Sequence, residues 1–246
     1  MSNNYTKRLF LAYSKTHISY LDNDDKLKKN RFIKYARTNY LRHINHLDKN
    51  SAKILEIGCN RGYLLSALSG FGFSNLYGVD LSPDDVKNAK TLLPNVDIIC
   101  IDAYDYLKEY KEEFDLIILK AVLEHIPKND IIYFLEQIRN SLKHGGLVII
   151  DVPNMDWLFA QHERYMDFTH EVGFTRESLA QIMRNVFNEV FVCKSNFIVS
   201  DTLKSKIAAL VRPVLIHIMN MAFRIIGEGA SDVWWDNRSI IGVGKK

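Results

Sequence analysis

Three carboxylates at the ends of apolar runs, one of them beside a glycine-bearing turn, have the types and spacing to hold a small polar ligand. Glu56 opens the run Glu56-Ile57-Gly58-Cys59-Asn60-Arg61-Gly62, which lies between an apolar segment, Lys53–Ile57, and a helical pattern beginning near Tyr63. Glycine at such a junction lets a ligand approach the backbone closely. Asp80, with Leu81 after it, ends the segment Leu76–Val79, and Asp102, with Ala103 after it, ends Val96–Ile101. A carboxylate at Asp80 can accept hydrogen bonds from both hydroxyls of a ribose, and Asp102 is placed to meet an adenine amino group.

Two kinds of nucleotide ligand use this arrangement. A dinucleotide site wants GxGxxG, so that a pyrophosphate can reach the backbone. Here the spacing is GxxxG with Asn60 in the middle, and Glu56 would oppose a pyrophosphate. The same carboxylate suits a ligand that carries an ammonium and a sulfonium. The residues therefore match S-adenosylmethionine rather than NAD.

Acid–base chemistry has two candidate places. Glu124-His125 follows a fourth apolar run, where it either faces a cleft or merely closes the turn before Pro127. The segment from Asn154 to Leu179 follows a fifth run and is dense in polar groups, including His162, Glu163, Arg164, Asp167, Thr169, His170 and Glu171. Deprotonating a hydroxyl nucleophile is ordinary work for a positioned histidine. His170 is the first choice of general base, with His125 and Asp167 as further catalytic candidates. Trp157, Tyr165 and Phe168 could stack on a sugar ring, and Trp234-Trp235 could line a pocket or cover the core. The bland alternative for the segment is a surface loop ahead of a helix start, because Thr175-Arg176-Glu177-Ser178 is a near-capping box.

The elements that must position these groups alternate. Short apolar strands at Lys53–Ile57, Leu76–Val79, Val96–Ile101, Phe114–Leu119 and Leu147–Ile150 are separated by helical patterns. One helix runs from about Asn129 to Leu142, and His144-Gly145-Gly146 reads as its stop. Strands that are apolar throughout indicate a parallel sheet covered on both faces. The last third predicts a helix near Arg176–Phe187, a strand near Val190–Val199, a long helix near Leu203–Ile226 and a strand near Ser239–Val243. The late strands can pair antiparallel at one edge. The expected fold is α/β: a doubly wound, mostly parallel seven-stranded sheet, with an N-terminal helical cap over 1–48 and a domain over 49–246. Within that domain lie a substrate loop at about 152–175 and a helical insertion at about 202–230. Before the core, Asp22 to Arg31 reads as a solvated loop or helix end, and Phe32, Tyr35, Ala36, Tyr40, Ile44 and Leu47 recur at helical spacing.

Composition adds bounds. The chain has 246 residues, 47% hydrophobic and 25% charged, the balance of a soluble globular domain. A net charge of +3 is too small and too scattered to predict a nucleic-acid partner. Met1 to Phe10 is polar and unlike a secretory signal. Cys59, Cys100 and Cys193 have neither disulfide nor zinc spacing, so a reduced, cytoplasmic compartment is expected. Pro213 to Phe223 lacks charge but is too short to span a bilayer. The helix around it is apolar nearly all round, with Pro213 as an expected kink. That pattern favours burial on the domain or against a second subunit over a place at the inner face of a membrane.

The runs LEIGCNRG, VDLS (Val79–Ser82), IDAYDYL (Ile101–Leu107), FDLIIL (Phe114–Leu119) and VLEHIP (Val122–Pro127) resemble the class I methyltransferase family in order and spacing, over about residues 50 to 151. The resemblance implies a Rossmann-like fold and an S-adenosylmethionine cofactor. It further implies Gly58 and Gly62 at the methionine moiety, Asp80 at the ribose, Asp102 and Ala103 at the adenine, and Lys120 near the methyl group. Asn60 departs from the family's commonest residue there, glycine. The segments RYMDFTHEVGFTRESL and DNRSIIGVGKK are similar to ones in methyltransferases of bacterial surface-polysaccharide gene clusters. They imply O-methylation of a sugar hydroxyl, on a glycan or nucleotide-sugar acceptor. A small phenol, an RNA 3′ end and a non-catalytic cofactor-binding role are the alternatives. Glu124, His125 and His170 also resemble the metal ligands of small-RNA terminal methyltransferases, but Ala121 replaces the first carboxylate, so a divalent metal is not the favoured expectation.

Overall fold

The computed structural model describes residues 4–16, 25–196, 202–227 and 233–246. Seven strands, β1 (Ile54–Ile57), β2 (Leu76–Asp80), β3 (Asp97–Cys100), β4 (Phe114–Lys120), β5 (Leu142–Pro153), β6 (Glu189–Lys194) and β7 (Ser239–Lys245), form one sheet in the order β3-β2-β1-β4-β5-β7-β6. Strands β1 to β5 pair parallel, while β7 runs antiparallel to both β5 and β6. This is the expected Rossmann-like architecture, a doubly wound, mostly parallel seven-stranded sheet.

Burial on both faces explains the uninterrupted apolar runs. Leu55, Ile57, Ile117, Leu119, Val148 and Ile150 join one core cluster. Their neighbours in sequence, Ile54, Leu116, Ile118, Leu147 and Ile149, join the other. Helices α5 (Tyr63–Gly70), α6 (Pro83–Leu92), α7 (Ala103–Lys108) and α8 (Ile131–Ser141) make the crossovers. Pro83 opens α6 beside the Ser82 cap, as its fixed φ and missing donor favour. Register pairs Ile57 with Val79 and Leu119, Asp80 with Cys100, and Lys120 with Asp151, so the carboxyl ends of the central strands are level. The strand order reverses between β1 and β4, and ligands bind in the crevice outside such a point.

Four local expectations need correction. First, of the two readings of Asp22 to Arg31 the loop falls and the helix end holds, since Asp25 begins α3 (Asp25–Asn39), which is followed by the short α4 (Leu41–Ile44). Charged side chains fit the solvated face of a helix as well as they fit a loop. Asp22 lies outside the described residues. Second, His144-Gly145-Gly146 does not end a helix: α8 stops at Ser141 and β5 already starts at Leu142. The glycines instead serve an irregularity in β5, where the register against β4 shifts between Phe114 and Leu116 and Gly145 takes a φ of 75°. Third, β6 ends at Lys194, and Val199, its expected limit, lies outside the described residues.

The fourth correction concerns α11 (Leu203–Ile226), which follows α9 (Ala160–Tyr165) and α10 (Arg176–Arg184) along the chain. It forms where expected and runs through Pro213, but none of its residues is buried. Leu210 is 78% exposed and Ile225 84%. The expected burial is not reached on the domain, which half-covers only one side of the helix; burial against a second subunit stays an expectation. Over its whole length it is also apolar enough to cross a membrane by composition, with a mean hydropathy of 1.5 across 18 residues. The charge-free run alone understated this.

Candidate functional site

A cavity of about 740 Å³ opens at the level carboxyl ends of the strands, within the range of small-molecule sites. Its lining comes from the tips of β1, β2, β4 and β5, from the loop after β5, and from N-terminal helices including α1 (Asn4–Leu11) and α2 (Tyr13–Thr16). All nine residues expected at the cofactor are in this wall except Gly62, which is one position beyond Arg61: Glu56, Gly58, Asn60, Asp80, Leu81, Asp102, Ala103 and Lys120.

The turn after β1 is built on left-handed backbone. Gly58 has φ 72°, and a Cβ there would meet Val122 Cγ2 at 2.5 Å. Gly62, φ 76°, is the residue ahead of α5 and packs against Ala89. Both glycines are thus required by the protein's own packing, a constraint separate from any ligand. Asn60 also takes a positive φ, 50°, and its Oδ1 accepts the Arg61 amide at 2.7 Å. Asparagine tolerates that region because its side chain can bond locally, which explains how it replaces a glycine.

Asp80 accepts the Asn60 amide on Oδ2 and the Ser82 amide on Oδ1, each at 2.8 Å, so each oxygen keeps a lone pair for a diol. Burial still raises its carboxyl to about 6, against those amide bonds. Asp102 Oδ1 caps α7 through the Tyr104 amide, at 2.8 Å. Glu56 is buried, and its Oε2 has no hydrogen-bond partner. Burial, reinforced by the charge of Asp80, pushes its carboxyl well above the usual range. A buried carboxyl with one oxygen unpartnered, beside a second carboxylate and only partly offset by Lys120, favours a ligand with an ammonium or sulfonium. These residues fit S-adenosylmethionine.

Lys120 Nζ lies 3.3 Å from Asp151 Oδ2 and 4.4 Å from the centre of the Tyr35 ring. The same Asp151 oxygen accepts the hydroxyls of Tyr35 (2.6 Å) and Tyr40. Burial first, then the charge of Asp151, raises both phenols well above their ordinary value, so both stay protonated donors. Directly after Lys120, Ala121 holds a left-handed φ of 54°, which costs a residue with a Cβ on the order of 1 kcal/mol. Its amide donates to the Asp151 carbonyl at 2.8 Å. Neither tyrosine carries a site role in the sequence reading, where both mark only the helical spacing of the segment before the core, and Asp151 carries none either.

The acid–base candidates converge. His125 and His170 have ring centres 4.8 Å apart. His125 Nδ1 lies 2.9 Å from Thr169 Oγ1, whose hydroxyl donates to Asp167 Oδ1 at 2.7 Å. His170 Nδ1 lies 2.8 Å from the Glu163 carbonyl, which can only accept, so the neutral ring carries its proton on Nδ1 and its lone pair on Nε2. Asp167 also accepts the Tyr13 hydroxyl at 2.5 Å. Burial alone would raise this carboxyl, but the hydrogen bonds from Tyr13 and Thr169 outweigh it and hold it below its ordinary value. Asp167 thus ties α2 to the loop after β5 and connects to His125 through Thr169.

Glu124 is buried with neither carboxylate oxygen hydrogen-bonded, and burial raises it to about 8. Donor atoms of Glu124, His125 and His170 all lie within 4.8 Å of one another, a set that could hold a metal ion. The expected stacking residues do not converge: Tyr165 and Phe168 are largely exposed, and neither they nor Trp157 line the cavity. Trp234 packs against the core under Arg176, and Trp235 donates Nε1 to Asn220 Oδ1 at 2.8 Å, so the tryptophan pair covers rather than lines. The three cysteines are free thiols.

A family model described as a methyltransferase domain matches residues 27–186. In sequence the chain is similar to a carboxy-S-adenosyl-L-methionine synthase of Psychrobacter sp. (strain PRwf-1), 30% identical over 166 residues that cover 61% of this chain and 59% of the relative. It is similar too to a ubiquinone biosynthesis O-methyltransferase of Thiobacillus denitrificans (strain ATCC 25259 / T1), 32% identical over 106 residues, 42% of this chain and 44% of the relative. The chain thus spans about half the length of the curated relatives it matches. In structure it resembles a SAM-dependent methyltransferase from Archaeoglobus fulgidus with a TM-score of 0.64, 21% identity, and coverage of 90% and 94% of the two chains. At that identity the likeness is one of fold.

Proposed function

The chain belongs to the methyltransferase-domain family, and from that premise we propose that it transfers a methyl group from S-adenosylmethionine to a sugar hydroxyl of a bacterial surface glycan or its precursor. The bound cofactor supplies an electrophilic methyl on a sulfonium. Glu56 and Asp80 would hold its cationic and ribose ends, and the turn at Gly58 would seat it against the strand tips. The chain's remaining work is to align a nucleophile and take its proton, and alignment alone can supply roughly 7–11 kcal/mol. His170 Nε2 takes the proton.

The observation that carries this reading is the tautomer of His170, fixed by the Glu163 carbonyl so that a base lines the same cavity as Glu56 and Asp80. A sugar acceptor is supported by the opposite wall, where Glu163, His170, Arg238 and Ser239 present polar groups able to bond several hydroxyls. Both segments that resemble the polysaccharide-cluster enzymes contribute to that wall.

One observation favours a second reading. The two unpartnered oxygens of buried Glu124 beside His125 and His170 suit a divalent ion, whose charge would acidify the acceptor hydroxyl.

The test is calorimetry of S-adenosylhomocysteine and NAD against the wild type and Asp80→Ala, followed by methyl transfer to nucleotide sugars, glycans, small phenols and RNA with and without chelator. Homocysteine-form binding lost in the variant, and transfer to a sugar, support the reading. Tighter binding of NAD, or transfer to a phenol or RNA alone, overturns it. Activity abolished by chelator and restored by added Mg²⁺ or Mn²⁺ selects the metal-assisted form.

A further inference from the structure

Helix α11 divides into two faces of opposite character. Ser205, Ala209, Arg212, Ile216, Met219 and Phe223, three or four residues apart, are its half-buried side. That side is fastened to the domain by polar contacts: Arg212 Nη2 donates to the Asp236 carbonyl at 2.6 Å, Asn220 accepts from Trp235, and Phe223 meets the Trp235 ring edge-on at 5.3 Å. The other side carries Ile207, Leu210, Val214, Ile218, Met221 and Ile225, spaced by three or four residues and all exposed. A continuous apolar stripe of this length on the outside of a soluble domain marks an interaction surface.

The charges say what covers it. The helix contains Lys204, Lys206, Arg212 and Arg224 and no acidic residue. Arg212 is turned inward to Asp236, whereas Lys204, Lys206 and Arg224 are exposed, Lys204 along one flank of the stripe and Lys206 and Arg224 along the other. A second copy of this face would bring cations against cations. An anionic lipid surface satisfies both components at once: headgroups meet the basic flanks while the stripe enters the acyl boundary. A spanning arrangement is at odds with the inner face, which is pinned lengthwise to the domain at Arg212 and Asn220. We propose that α11 is a peripheral docking helix that lays its apolar stripe in the surface of an anionic bilayer. The seat of the helix also reaches the cavity, because Asp236 holds Arg212 while Arg238 and Ser239, two and three residues on, line the proposed acceptor wall.

The experiment is flotation of the full chain with vesicles of phosphatidylcholine alone and of phosphatidylcholine with phosphatidylglycerol, alongside sedimentation analysis of its oligomeric state. The wild type is expected to float at least tenfold more with the anionic vesicles. The triple variant Leu210→Ser, Val214→Ser, Ile218→Ser is expected to lose that partition, as is Lys206→Glu with Arg224→Glu. Both variants should keep the wild-type melting temperature and S-adenosylhomocysteine binding, because the altered side chains are exposed and outside the cavity. Absence of partition, or equal partition of the triple variant, overturns the proposal. So does a concentration-dependent dimer that the triple variant abolishes without any vesicle binding, and so does bound protein that resists both high salt and alkaline washing, since that would mean insertion across the bilayer.

Discussion

The two halves of the cavity are built in different ways. The cofactor half is made by strand tips and the turns next to them, and many of its contacts are local: Asp80 accepts from Ser82, Asp102 from Tyr104, Asn60 from Arg61, with Asp80 reaching the next turn at Asn60 over 20 positions. The proposed acceptor half is assembled across the chain, with Tyr13 bonded to Asp167 and Phe10 edge-on to His125, and Tyr35 and Tyr40 reaching Asp151 over 116 and 111 positions. A half built from local geometry can be kept while the other is exchanged. The fold can thus retain one donor and vary the acceptor.

If the halves are separable, substitutions should separate them. His170→Ala should lower kcat by about 10²–10⁴-fold, the usual contribution of a general base, and leave S-adenosylhomocysteine affinity unchanged. A parallel loss of affinity would show that the halves act as one. Next in size is a pH effect. Because burial raises Glu124 to about 8, the folded protein binds a proton that the unfolded chain has already released. Stability of the free protein should therefore fall as pH rises from about 5 to 8, by on the order of 2–4 kcal/mol from this group. Glu124→Gln should flatten the part of the urea-denaturation profile between about 6 and 8, and an unchanged slope would remove Glu124 as its source. Asp80→Ala should weaken homocysteine-form binding by roughly tenfold to a hundredfold, the worth of charge-assisted hydrogen bonds. Smallest is Tyr40→Phe, which removes one donor from buried Asp151 and should lower stability by about 1–2 kcal/mol in urea titration. A larger loss of activity than of stability in that variant would place Asp151 in the chemistry itself.

The same division governs what could be read from the sequence. Strand ends carrying Asp80 and Asp102 were legible because a parallel strand buried on both faces leaves an apolar run whose first polar residue marks its tip. The convergence of Glu124, His125 and His170 was legible only through a motif, not through spacing. Nothing local in α3 says that Tyr35 and Tyr40 turn to a carboxylate more than a hundred residues on. The helix α11 misled because apolar residues nearly all round usually mean burial, and the polar anchors that turn one side inward, Arg212 and Asn220, are two residues in 24. At β5, glycines that commonly stop a helix instead shape a strand irregularity, and both uses need the same left-handed backbone.

The tie between Tyr40 and Asp151 also sets an order of events during synthesis. Helix α3 leaves the ribosome long before β5 exists, and the Tyr35 hydroxyl waits longer still for Ser239, 3.2 Å away and 204 positions later. The polar ties of an early helix are thus among the last to be made. A nascent chain halted before Asp151 should carry α3 already against α5, through Ala36, Tyr40 and Ile44, with its tyrosine hydroxyls still unanchored.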